Sequence, residues 1–147
     1  MRKRYLALLK GPWVGGERRV EAALEEHRPE GGERLTKVSQ SGRAAVSVFR
    51  PLRRFVDATL VEVDLETGRM HQIRAHAAHI GHPVLGDPRY GDGESNAVFR
   101  ARGLRRMFLH AAALGFAHPS TGNPLWIDAS LDEELEGVLA GLTNLVE

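Results

Sequence analysis

The chain has 147 residues, 42% of them apolar, a formal net charge of +1 and no cysteine. This length fits one domain spanning 1–147 with a modest buried core, and the lack of cysteine excludes a disulfide framework and a thiolate metal site. No apolar run approaches about 18 residues and the start is basic, so we expect a soluble, cytoplasmic protein with neither a transmembrane helix nor a signal peptide.

Apolar runs separated by turn signals predict strands in the first half of the chain. The predicted strands are 4–10, 35–38, 44–49 and 58–65, and the last of them alternates polar and apolar positions. Pro51 marks a connection after the third strand, where Arg53 and Arg54 belong to a basic bend. The pattern over 18–26 fits either a helical turn or an extended connection.

The second half of the chain combines helices with a hairpin. The predicted helices are 69–80, 94–102 and 131–142, and the predicted strands 107–117 and 125–127 pair across a turn. Gly81 ends the first helix, and Ser130 caps the amino end of the last. Elements in this order predict an α+β fold with a mainly antiparallel or mixed sheet and flanking helices.

Four of the seven histidines and three arginines fall in one stretch, 66–91. Helical spacing alone is typical of a solvated amphipathic helix. His76, His79 and His82 stand three apart and leave a metal site open, although neither a cysteine nor a His-Glu-x-x-His pair accompanies them. Arg74 lies at the edge of the apolar stripe, where an arginine requires an anionic partner.

The basic residues are unevenly distributed. All 20 Lys and Arg residues lie at or before Arg106, against 13 acidic residues in the same part of the chain, which gives a local balance of +7. From Ala111 onward there are six acidic residues and no Lys or Arg. This asymmetry points to an acidic partner, and nucleic acid is the usual one, while scattered surface charge that serves solubility remains the alternative.

Several runs match one enzyme family in its own order. The run 68–76 (GRMHQIRAH), followed by 81–87 (GHPVLGD) and Tyr90-Gly91, resembles the long signature of the RluA-type pseudouridine synthases. Further matches come at 4–7 (RYLA) with Gly11, at 42–45 (GRAA), and at 109–111 (LHA) followed by 116–119 (FAHP) and Gly122. The resemblance covers nearly the whole chain.

This resemblance implies an enzyme that converts uridine to pseudouridine in structured RNA, either rRNA or tRNA, with no cofactor and no metal. Tyr5 matches the family tyrosine whose ring packs against the flipped-out target base. Arg74 matches the arginine that pairs with the catalytic aspartate. Other candidates for contacts with RNA are Arg69, His71 and Gln72, which are expected at the pocket mouth or against neighbouring loops, together with Arg53, Arg54 and His110.

Two departures from the family pattern affect the expected activity. Met70 stands where the family has Thr or Ser, which removes a hydroxyl. The His-Arg-Leu-Asp motif that carries the catalytic aspartate does not occur in this sequence, and none of the six aspartates stands in a similar context. The chain therefore resembles the C-terminal portion of a synthase catalytic domain.

Three hypotheses follow. The first is a portion of a synthase, arising as a fragment, from a misassigned start or from a split gene, and inactive alone. The second is a non-catalytic RNA-binding module derived from the family, and the third is a metal-dependent hydrolase that uses the histidine series. Under the first we expect an exposed strand edge at 4–10, self-association or pairing with a chain that supplies the absent half, and an Arg74 without its carboxylate that collects an anion.

Overall fold

The computed structural model describes residues 2–117 and 119–143. Within these ranges the chain forms eight strands and three helices. The strands are β1 (Arg2–Lys10), β2 (Arg18–Glu21), β3 (Leu24–His27), β4 (Leu35–Val38), β5 (Val46–Arg54), β6 (Ala58–Leu65), β7 (Leu109–Ala117) and β8 (Pro124–Asp128), and the helices are α1 (Gln72–His79), α2 (Gly93–Ala101) and α3 (Glu133–Ala140). The α+β prediction is confirmed, and 18–26 forms β2 and β3.

Six strands form one antiparallel sheet in the order β2-β5-β6-β1-β7-β8, while β3 and β4 form a separate hairpin. β1 lies in the middle of the large sheet, because Ala7 pairs with Val61 on one side and with Leu109 on the other. The prediction of an exposed edge at 4–10 is therefore wrong. Ala7, Leu8 and Leu9 are completely buried, as consecutive apolar residues must be in a strand covered on both faces.

The predicted connection at Pro51 is also wrong, because β5 continues through this residue to Arg54. The register with β6 shifts between Pro51 and Arg53, which is a β-bulge. A bulge accommodates a proline because it interrupts the ladder where the missing N–H would be needed. Arg53 and Arg54 consequently extend from a strand end instead of forming a bend.

The first helix starts three residues later than predicted. His71, at the N-cap position of α1, has a left-handed backbone with φ of 52°, so Arg69 and Met70 belong to the preceding turn. Gly81 follows the helix with φ of 83°, as its role as a helix stop requires. The predicted cap of the last helix is wrong: the Asp132 side chain, not that of Ser130, accepts a hydrogen bond from the Leu135 N–H.

Alternate side chains of the central strands pack into two hydrophobic cores. On one face, Leu8 and Leu60 pack with Phe99 of α2 and Leu135 of α3. On the other face, the cluster around Val61 includes residues of α1. The period of two in β1 and β6 thus places helices on both sides of the sheet and brings α1 against the end where the candidate site lies.

None of the helices within the described ranges is long and apolar enough to cross a membrane.

Candidate functional site

An open pocket of about 280 Å³ lies where β1, the end of β6, the start of α1 and the segment entering β7 meet. It contains five of the predicted site residues together with four apolar side chains: Tyr5, Arg69, His71, Gln72 and Arg74, with Leu65, Ile73, Met107 and Leu109. Motif residues and apolar walls that are far apart in sequence therefore meet in one place.

Arg74 is held by a carboxylate from within the chain. Its Nε donates to Asp87 Oδ2 and its Nη2 to Asp87 Oδ1, both at 2.8 Å. The Asp87 side chain is completely buried and that of Arg74 is 14% exposed. The expectation of an unpaired Arg74 that collects an anion is therefore wrong, because Asp87, in the turn after α1, reaches back to the helix.

The Asp87 carboxylate is fully engaged. Its Oδ1 also accepts hydrogen bonds from the backbone N–H groups of Arg89 at 2.9 Å and Tyr90 at 3.1 Å. Burial alone would raise the pKa of this carboxyl, but the bonds from Arg74, Tyr90 and Arg89 outweigh it and hold the pKa below its ordinary value. The same pair raises the pKa of Arg74. Both side chains are therefore charged, and the guanidinium is fixed in orientation.

Tyr90 connects this ion pair to the β3–β4 hairpin. The Arg74 Cζ lies 4.9 Å from the centre of the Tyr90 ring, a cation–π contact. The Tyr90 hydroxyl accepts from the Thr36 N–H at 2.8 Å and lies 2.9 Å from His71 Nδ1. Burial, and after it the charge of Arg74, lowers the pKa of His71, which favours the neutral ring. The Tyr90 side chain thereby links the site to the β3–β4 hairpin by hydrogen bonds.

Gln72 fixes the turn that leads into α1. Its side-chain oxygen accepts from the Thr67 hydroxyl at 2.7 Å and from the Arg69 N–H at 3.0 Å, while its Nε2 donates to the Val46 carbonyl at 2.9 Å. Arg69 Nε donates to the Ala44 carbonyl at 2.9 Å. The resemblance led us to expect these residues at the pocket mouth or holding loops, and Gln72 and Arg69 do hold loops.

The histidine series is dispersed. His76 is completely buried, with Nε2 donating to the Ala22 carbonyl and Nδ1 bonded to the Ser47 hydroxyl, each at 2.8 Å. Burial lowers the pKa of His76. His79 is exposed, and His82 Nδ1 donates to the Lys10 carbonyl. Within the described ranges no three His, Cys, Asp or Glu side chains converge as metal ligands. His76 is a core histidine that joins α1 to β2 and β5.

Arg53, Arg54 and His110 lie away from the pocket. Arg54 Nε donates to the Trp13 carbonyl at 3.3 Å, and Arg53 lies over the Phe55 ring, both at the end of β5 opposite to the pocket. His110 follows the pocket residue Leu109 along β7, so its side chain projects from the other face of the sheet. There His110 Nε2 donates to the Ala129 carbonyl at 3.0 Å.

Among the residues that the structure describes, no carboxylate lines the pocket. Asp87 is enclosed beneath Arg74, and the buried Asp64 on β6 pairs with Arg4 and Arg50. The pocket therefore offers a flat ring the face of Tyr5, beside a guanidinium whose charge Asp87 balances, but it contains no acidic nucleophile or base from these residues. Asp87 and Tyr90 were missed as site residues, although both stand in the family signature at fixed distances after Arg74.

Residues 1–79 match the family model described as RNA pseudouridylate synthase. The chain is 45% identical over 142 residues to ribosomal large subunit pseudouridine synthase C of Yersinia pestis, and 44% identical over 146 residues to the Escherichia coli protein of that name. These alignments cover 97% and 98% of this chain but 44% and 46% of the relatives. The chain thus spans less than half the length of these relatives.

A solved structure has the same fold. Human RNA Pseudouridylate Synthase Domain Containing 1 superposes with a TM-score of 0.78 over 99% of this chain and 61% of that one, at 25% sequence identity. The resemblance drawn from the motifs is confirmed. Since the family model matches more than half of the sequence, the chain belongs to the RNA pseudouridylate synthase family.

Proposed function

We propose that this chain forms part of an RNA pseudouridine synthase that isomerises uridine in rRNA or tRNA. The observation that carries the proposal is the pocket lined by both Tyr5 and the fixed Arg74, in a member of this family. The relatives are named for the large ribosomal subunit, which favours rRNA over tRNA. Within this proposal 1–147 is one domain equivalent to the C-terminal portion of a synthase catalytic domain, and a further chain or segment supplies the rest.

The pocket geometry suits an extruded uracil. A base removed from its stack needs a replacement surface, and the half-buried Tyr5 ring provides one beside the apolar side chains of Leu65 and Met107. Arg74 uses Nε and Nη2 for Asp87, which leaves Nη1 outside that pair for a second anionic group at the pocket. Because Asp87 holds the guanidinium in place, little ordering is needed when such a group arrives.

We expect the chain to bind structured RNA weakly and with strong salt dependence. Lys and Arg contacts to phosphate release counterions, so the logarithm of the affinity falls linearly with that of the salt concentration, by about 0.7 to 0.9 per contact. Fluorescence anisotropy with labelled rRNA fragments across a salt series measures this slope. Affinity that stays constant between low and physiological salt, or no binding at low salt, would contradict an RNA-binding surface.

A pair of Tyr5 variants tests the base platform. Tyr5→Leu keeps an apolar side chain in β1 but removes the aromatic face, and we expect it to weaken binding of an RNA with one unpaired uridine by about 1 to 3 kcal/mol. Tyr5→Phe keeps the face and should bind as the parent does, because the Tyr5 hydroxyl makes no hydrogen bond within the described residues. RNA titrations measure the affinities of both variants, and urea unfolding verifies that both are folded. Equal affinities in the two would exclude stacking on Tyr5.

A non-catalytic RNA-binding module is the second candidate function. The observation that favours it is the lack of a carboxylate among the described residues that line the pocket. Both candidate functions include RNA binding, but only the synthase isomerises uridine. Pseudouridine formation by an assembly that contains this chain would decide for the synthase.

A further inference from the structure

A second cleft, of about 430 Å³, lies beside the pocket. It is bounded by the β3–β4 hairpin, by the turn before β5 and by the turn that precedes α1. Two arginines, Arg43 and Arg69, line it, and Arg69 also lines the Tyr5 pocket. Met70, the residue that departs from the family pattern, lies in this cleft and not in the pocket. The two concavities therefore meet at one cation.

Both arginines of the cleft have donors to spare. Arg69 uses Nε for the Ala44 carbonyl, which leaves its two terminal nitrogens outside that bond. The Arg43 side chain is exposed and makes no hydrogen bond or ion pair within the part of the chain that the structure describes. Some other arginines of the chain are paired with acids, for example Arg19 with Glu66 and Arg50 with Asp64. Arg43 and Arg69 therefore both present unused donors to the cleft.

A buried hydroxyl at the cleft has no partner. Thr36, on β4, is 3% exposed, and its Oγ1 is the buried side-chain polar atom of the described residues for which no hydrogen bond is made. A buried hydroxyl without a partner is destabilising, and such groups are uncommon in folded proteins. The acidic residue nearest to it in the hairpin register, Glu26, pairs with Arg34 at 3.0 Å. The second acidic residue that lines the cleft, Glu25, makes no ion pair within the described residues, so the wall carries one unpaired carboxylate beside the two arginines.

The cleft is shaped by a close approach of two backbones. A Cβ at Gly42 would lie 2.4 Å from the Leu24 carbonyl carbon and 2.8 Å from the Glu25 nitrogen. Only glycine permits this contact, in which the Arg43 N–H donates to the Leu24 carbonyl at 2.8 Å. Arg43 is thereby held at the base of the hairpin by its backbone, independently of its side chain.

We propose that this cleft binds an RNA phosphodiester next to the nucleotide held in the Tyr5 pocket, with Arg43 and Arg69 as its cationic ligands. The inference rests on the proposed function, because it takes the pocket to hold a nucleotide. A guanidinium can donate two parallel hydrogen bonds to phosphate oxygens. A phosphate lies next to a flipped nucleotide in every RNA, whatever the base sequence. The cleft consequently positions RNA without selecting a base.

The test measures the binding of a short single-stranded RNA with one central uridine. Neutral methylphosphonate linkages replace single phosphates on either side of the uridine, one at a time. In the parent chain, one of these linkages is expected to reduce affinity about tenfold. In Arg43→Ala the same replacement has a smaller effect, because one of the two cationic ligands of that phosphate is already gone, and the salt slope falls by about 0.7. Arg100→Ala removes an exposed cation from α2 and should retain the full sensitivity.

The outcomes separate the two proposals. If the parent chain binds RNA but no single linkage reduces its affinity, or if the reduction is the same in Arg43→Ala, the cleft is not a phosphate site and the proposed function stands. If the parent does not bind RNA at low salt, the proposed function fails and the cleft proposal fails with it. The linkage scan on the parent needs no variant to fold, so a destabilised Arg43→Ala would not block the decision.

Discussion

Replacing Asp87 with asparagine is expected to lower the free energy of unfolding by about 3 to 5 kcal/mol. The substitution keeps the shape of the side chain but leaves the Arg74 guanidinium, with 14% of its side chain exposed, without a counter-charge. A buried ion pair adds little stability relative to an apolar pair. Removing one partner is strongly destabilising, however, because the remaining buried charge then has neither water nor a counter-charge beside it. Urea unfolding monitored by tryptophan fluorescence gives the comparison.

The matched control is Asp57→Asn. Asp57 pairs with Arg102 at 2.8 Å, but the two side chains are 44% and 40% exposed, so solvent screens the pair and the loss should stay within about 1 kcal/mol. The double variant Arg74→Met with Asp87→Asn removes the stranded charge and should recover part of the stability. A loss in Asp87→Asn no larger than that in Asp57→Asn would mean that the Arg74 pair does not support the fold.

The pH dependence of the same pair has a definite sign. The pKa of Asp87 in the folded chain lies below its ordinary value of 3.8, so the carboxylate contributes its full stability above that value. The contribution is lost as the pH falls through the folded pKa, because the folded state must then bind a proton. The stability difference between the parent and Asp87→Asn should therefore narrow below about pH 4.

The strand prediction at 58–65 was correct because alternation with a period of two directly reports a strand with a distinct environment on each face. Gly81 as a helix end was equally predictable, since few other residues adopt its backbone angle. The left-handed His71 was not, because a histidine at φ of 52° is held by its surroundings and has no local signal. The predicted helix therefore began too early, at 69.

The central position of β1 and the Arg74–Asp87 pair depend on contacts between distant parts of the chain. Apolar residues at 7–9 indicate burial but not which strands lie on either side, and the observed partners come from β6 and β7. Arginine at the edge of an apolar stripe predicts an anionic partner without naming it. The family signature supplied the pocket residues Tyr5 and Arg74. Arg53 and Arg54, chosen for their charge, and His110, which stands in the matching run 109–111, lie elsewhere.

The 147 residues by themselves are expected to form no pseudouridine on rRNA or tRNA. No carboxylate from the described residues lines the pocket, and Asp87 has its oxygens committed to Arg74 and to two backbone N–H groups. Without an activated group at the pocket there is nothing to attack the ribose or the base. Quantification of pseudouridine in treated RNA by mass spectrometry measures the result.

Activity should return when the missing group is supplied. A segment from a relative that carries the His-Arg-Leu-Asp motif, fused ahead of this chain or added as a second polypeptide, is expected to restore turnover. The same segment with its aspartate changed to alanine should not restore turnover, because it lacks the carboxylate. Comparing the two segments separates the effect of the carboxylate from any gain in folding. We expect Arg74 Nη1, which lies outside the Asp87 pair, to donate to that carboxylate. Pseudouridine formed by the 147 residues alone would contradict this account, and alanine substitution of the six aspartates in turn would then identify the acid responsible.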